Sequence, residues 1–191
     1  MFKIFLFLLL PFLLLNCKNK DQWDEIKIDL NISHDSVYKR MDTEEEIFSM
    51  FERDTLRKKS SDVQYLIGNE NADKYSKMNN CRAYFNSSDT LIIDIGISNG
   101  FVSSGFIIKY KANKFFTEPY YEDDIVFEGE PFETYKLIYQ QLTLNKLNYK
   151  AGDSLYGKID FKSIETDLEK KKHEHTGKGF FRAKVKQSPF H

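Results

Sequence analysis

Thr90-Leu-Ile-Ile-Asp-Ile-Gly-Ile-Ser98 decides the fold class. Leu91, Ile93, Ile95 and Ile97 fall on one side of an extended chain, and that alternation is the period of a strand with one buried face. Asn99-Gly100 follows, a pair suited to a two-residue hairpin turn because both positions tolerate positive φ. Gly105-Phe-Ile-Ile-Lys-Tyr-Lys111 then puts Phe106, Ile108 and Tyr110 on one face. Ala112-Asn113 turns the chain again, and Lys114-Phe-Phe-Thr117 opens a third strand. Strands joined by turns this tight pair antiparallel, as a meander.

Downstream, Tyr135 to Leu147 fits a helix or a strand. The alternation Leu142-Thr-Leu144 and the lack of a capping residue favour the strand. Leu155-Tyr-Gly-Lys-Ile-Asp-Phe-Lys162 alternates with Leu155, Ile159 and Phe161 inward, and Glu165 to His175 reads as a charged hairpin connection. Gly179 to Val185 closes the chain, with Phe181, Ala183 and Val185 opposite Arg182, Lys184 and Lys186. Glu118 to Pro131 is acidic, with Pro119 and Pro131 as breakers.

Upstream, Ile26-Lys-Ile-Asp-Leu-Asn-Ile32 alternates as a strand. Asp42-Thr-Glu-Glu-Glu46 offers a cap and three acids to a helix start, and Arg57-Lys-Lys59 offers cations to its end, which predicts an amphipathic helix near 43–59. Residues 60–88 are polar and read as a short helix plus a loop. The expectation is a mostly β protein: an antiparallel β-sandwich with one appended N-terminal amphipathic helix. Residues 26–88 carry the strand, helix and polar loop, and 89–191 the antiparallel β domain. Asn148-Tyr-Lys-Ala-Gly-Asp-Ser-Leu155 resembles the Tyr-x-x-Gly-Asp segment leading into the second strand of immunoglobulin-like and macroglobulin-like domains. An Ala-Gly-Asp turn accounts for the same residues.

The 191 residues suit one ordinary domain. With 28 basic against 29 acidic residues the net charge is −1, which provides no field for gripping nucleic acid, and 30% charged residues argues against an integral membrane body. The N-terminus is different in kind. Met1-Phe-Lys3 is a short basic start, and Ile4 to Leu15 is an apolar run that fits a secretory h-region and falls short of the ~20 residues that span a bilayer. It ends in Leu14-Leu-Asn-Cys17, with Asn16 where Gly, Ala or Ser is usual. This resembles the lipobox of bacterial lipoproteins. The resemblance implies a signal peptide over 1–16, a lipid anchor of acyl chains (palmitate class) on Cys17, and a lipidated tether over 17–25. Lys18 after the cysteine resembles lipoproteins passed on to the outer membrane, facing the periplasm or the cell surface. Removal of the signal would leave Cys81 without a disulfide partner, and a lone cysteine reads as a small buried apolar residue.

Chemical motifs are sparse. Ser103-Ser-Gly105 lacks the spacing of a nucleophile elbow. Asp123-Asp124 and Glu128 with Glu130 could do acid–base work only if burial raised one pKa, and in so charged a loop they read as solvated. His173-Glu-His175 would put two imidazoles on one strand face as metal ligands. Lys170, Lys171, Lys172 and Lys178 surround them, no third ligand presents itself, and the expected metal count is none. Lys178-Gly-Phe-Phe181 resembles the opening of the RNA-recognition strand, then departs at Arg182 and Lys184, so no nucleic acid partner is expected. Gly177-Lys-Gly179 is too short for a phosphate loop, and no cofactor is expected. Two functions follow as expectations. The first is a membrane-anchored, non-catalytic envelope module with a protein, glycan or lipid partner; the second is a small envelope hydrolase using loop carboxylates or the His173–His175 pair.

Overall fold

The computed structural model describes residues 23–46, 57–68, 75–98, 100–123, 134–167 and 169–187. Strands dominate. β1 (Asp24–Glu25) and β2 (Lys27–Ile28) are followed by a short helix α1 (Ser36–Met41), β3 (Ser61–Ile67), β4 (Asn80–Phe85), β5 (Leu91–Ser98) and β6 (Val102–Lys111). β7 (Lys114–Asp123), β8 (Thr134–Leu144), β9 (Ser154–Thr166) and β10 (Lys172–Lys186) complete the chain. Hydrogen bonding runs in the order β1-β7-β6-β5-β4-β10-β9-β8-β2, with β3 added on β10. Two parallel joins, β4 with β10 and β2 with β8, interrupt an otherwise antiparallel arrangement. The path starts and ends in neighbouring pieces of one segment, 24–28, so β1 and β2 bring its two outer strands together.

The strands fold over one core. Leu91, Ile93 and Ile95 of β5, Phe106 and Ile108 of β6, and Phe115 of β7 pack with Leu142 and Leu144 of β8, Leu155, Ile159 and Phe161 of β9, and Phe181 of β10. Phe106 and Phe161 meet across the two sheets with ring centroids 4.7 Å apart. Each fully buried Leu, Ile or Phe removes enough apolar surface from water to contribute ~1.5–3 kcal/mol, so this shared cluster is the main force holding the sheets face to face. This is the sandwich that the alternation in β5, β6 and β9 predicts.

Several local expectations change. The Ile26–Ile32 strand stops after Ile28, because Asp29 accepts a hydrogen bond from the Asn31 N–H at 2.9 Å and folds the chain into an Asx turn. Leu30 is left outside, and Asp24-Glu25, expected in the tether, is already β1. The helix expected near 43–59 does not start there. Residues 43–46 are a turn, a bend and a bridge, and Glu45 pairs with Lys58; 47–56 lie outside the described residues. The helix comes earlier, where the Asp35 carboxylate caps the Val37 N–H at 3.0 Å and Val37, Tyr38 and Met41 form a buried face. That face covers the outside of β9 and β10, with the Tyr38 hydroxyl donating to the Gly157 and Phe181 carbonyls. Glu44 and Glu46 pair instead with Lys59 and Arg82. Residues 60–88 contribute β3 and β4, paired to β10 and β5. β7 runs straight through Pro119, since β1 pairs only Lys114 and Phe115 and leaves the outer edge of β7 without a donor to lose at 119. Ala112 and Asn113 both take positive φ, as a tight hairpin turn requires.

Candidate functional site

The histidines predicted as a metal pair go to separate partners. His173 Nε2 lies 2.9 Å from Asp167 Oδ2 at the β9–β10 hairpin. His175 is 4% exposed, with Nε2 2.6 Å from Glu165 Oε2 and Nδ1 2.7 Å from the Tyr65 hydroxyl. The tautomer with its proton on Nε2 donates to Glu165 and leaves Nδ1 to accept from Tyr65. Tyr65 in turn packs on the core rings of Phe106 and Phe161. The Glu165–His175–Tyr65 chain therefore fastens β3, β9 and β10 together. Among the described residues no three His, Cys, Asp or Glu side chains converge as a metal site would need. Cys81 is buried, and burial pushes its thiol well above the usual range, against any nucleophilic role. Cys17, Asp124, Glu128 and Glu130 lie outside the described residues, as does the Asp123 side chain.

Sequence reasoning missed the groups around β4. On the outer face of β4–β7 a cleft of about 410 Å³ is lined by Arg82, Tyr84, Asp94, Tyr120 and Glu122. Asp94 is the carboxylate in the middle of the isoleucine run, and it accepts from the Tyr120 hydroxyl at 2.9 Å. Tyr120 starts two strands away, on β7. Gly105 of β6 and Gly96 of β5 stand in register between them. A Cβ at Gly96 would strike the Tyr120 hydroxyl, so the glycine is what allows the ring to lie across the sheet. Burial raises the Asp94 pKa first of all; the hydrogen bond from Tyr120 and the Arg82 charge oppose the rise, and Glu122 adds to it. The available signal is the pair Asp94 and Gly96 on the polar face of β5, a carboxylate beside a position without a side chain.

Arg82 stands between this cleft and a second one of about 360 Å³, where β10 leaves β3 and joins β4. Its guanidinium makes a two-pronged ion pair with Glu46, 2.7 and 2.8 Å, and Glu46 also receives the Ser60 hydroxyl. Arg182, on the other wall, donates to the Lys59 carbonyl at 3.1 and 3.0 Å and to Asp42 at 2.6 Å. Fixed guanidinium planes on both walls give this cleft a set shape and a positive field. No protein-family model, curated protein or solved structure matches the chain.

Proposed function

We propose that this chain is an exported lipoprotein, held in the outer membrane by acylated Cys17, whose β-sandwich serves as a non-catalytic binding module of the cell envelope. One observation carries the binding reading. His175 and Cys81 are buried, His173 is paired with Asp167, and Asp94 in the wall of one cleft is held by Tyr120, while open clefts flank Arg82. The anchor reading is supported by the order basic start, apolar run, Leu14-Leu-Asn-Cys17 and charged tether. Among the described residues no helix is long and apolar enough to cross a membrane.

Expression in a Gram-negative host with radiolabelled palmitate tests this. The wild type takes up label and enters the detergent phase, and Cys17→Ser loses the label and accumulates unprocessed. A wild-type chain that stays in the aqueous phase with no acyl mass would overturn the anchor.

A further inference from the structure

The cleft at the β3–β4 switch of β10 carries more charge than its own ion pairs consume. Arg182, Lys184 and Lys186 occupy every second position of β10, so their side chains leave the same face of the strand. Arg57 and Lys58 approach from the segment entering β3, and Arg82 from β4. Against these stands one acidic lining residue, Glu46, and its carboxylate is taken up by Arg82 and Ser60. Asp42 is likewise taken up by Arg182. Lys58, Lys184 and Lys186 have no carboxylate partner among the described residues.

Like charges held around one cleft repel, and an anion seated between them relieves that repulsion. A single carboxylate would neutralise one ammonium of three. A phosphate group carries up to two charges and three acceptor oxygens, and lysine, a compact rotatable charge, is a common phosphate partner. With a net chain charge of −1, attraction for an anion has to come from this local field.

We propose that the cleft binds a phosphate-bearing ligand, its phosphate oxygens among Lys58, Lys184 and Lys186. The ligand is a free phosphate ester or a phospholipid headgroup. The proposal deepens the binding-module reading above, and the two fail separately, since the palmitate label on Cys17 does not depend on any lysine of the cleft.

The full-length chain in dodecyl maltoside micelles, titrated calorimetrically with sodium pyrophosphate and separately with dioctanoyl phosphatidylglycerol, tests it, with dioctanoyl phosphatidylcholine as the zwitterionic control. Saturable binding of either anion is expected, weakened at least tenfold in Lys184→Gln/Lys186→Gln and restored in Lys184→Arg/Lys186→Arg. Tighter binding of phosphatidylglycerol identifies a headgroup, and tighter binding of pyrophosphate a free ester. The melting temperature of the ligand-free glutamine variant should equal that of the wild type, which separates lost binding from lost folding. Absence of saturable binding by both anions at millimolar concentration, or equal affinity in wild type and glutamine variant, would overturn the proposal.

Discussion

The two sheets of the sandwich bury the same kind of core by different means. On β5 and β6 the inner positions are Leu91, Ile93, Ile95, Phe106 and Ile108, closed at the end of β6 by Tyr110. On β8, β9 and β10 the buried set mixes Leu142, Ile159 and Phe181 with Gln140, Ser163 and His175. The polar members of the second sheet mostly do work that a methyl group cannot. Gln140 accepts from the Thr117 N–H at 2.9 Å and donates to the Phe115 carbonyl at 3.2 Å, so one side chain closes the seam between β7 and β8 where backbone pairing is absent. His175 ties three strands. A sheet buried by alternation alone needs only its pattern, whereas a sheet with polar groups inside depends on each group finding its partner.

The largest effect should come from breaking the first sheet's pattern. Ile93 is fully buried, and Ile93→Asp strands a charge among Ile95, Phe106 and Ile108; a loss of at least about 4 kcal/mol, or failure to fold, is expected in chemical denaturation. A midpoint within experimental error of the wild type would show that β5 does not face the core. In the second sheet Gln140→Leu keeps the bulk and removes both hydrogen bonds. Leaving the Thr117 N–H and Phe115 carbonyl unpaired should cost about 2 kcal/mol and loosen the seam, seen as faster amide exchange at Thr117. A neutral outcome would mean the seam is held by β1 and β2 alone, and the contrast between the sheets would lose its basis.

That contrast also explains what could be read from the sequence. β5, β6 and the start of β7 were legible because alternation and turn residues agree there, down to the positive φ of Ala112 and Asn113. β9 was legible through Leu155, Ile159 and Phe161. β3 was not, because its buried end is Ser61-Asp62, a polar pair that reads as loop. Ser61 bonds to Asn79, and Asp62 is held by Arg40 and Lys77, partners 18, 22 and 15 positions away. The acids at 44–46 looked like a helix start because charge at a dipole is a local argument, and their real partners Lys59 and Arg82 are distant in sequence. At the candidate clefts the residue types were visible and the convergence was not. Arg182, Lys184 and Lys186 could be put on one face from spacing, but nothing in the spacing brings Lys58 and Arg82 beside them.

The smallest effect should come from Asp94, and its sign separates the two sheets once more. At the two ends of β9, Asp153 and Asp167 are half-buried carboxylates whose pKa values are lowered, by Lys146 and by His173 first of all. On the first sheet Asp94 is shifted the other way, raised from 3.8 chiefly by burial. A carboxyl whose folded pKa exceeds its unfolded value is bound more tightly to its proton in the native state. Its stabilisation is therefore complete below the ordinary Asp range and is lost as pH rises through the raised value. Asp94→Asn keeps an acceptor for the Tyr120 hydroxyl, deletes the charge and leaves no cavity. At neutral pH the variant should match or slightly exceed the wild type, by no more than about 0.5 kcal/mol. On acidification toward pH 4 the wild type should gain on the variant, because only the wild type can take up the proton. Melting curves of both proteins across that range check the point. If instead the wild type lost ground to Asp94→Asn as pH fell, the carboxylate would be a stabilised ion like Asp153, and the outer face of the first sheet would be wetter than its glycine floor and tyrosine cover make it.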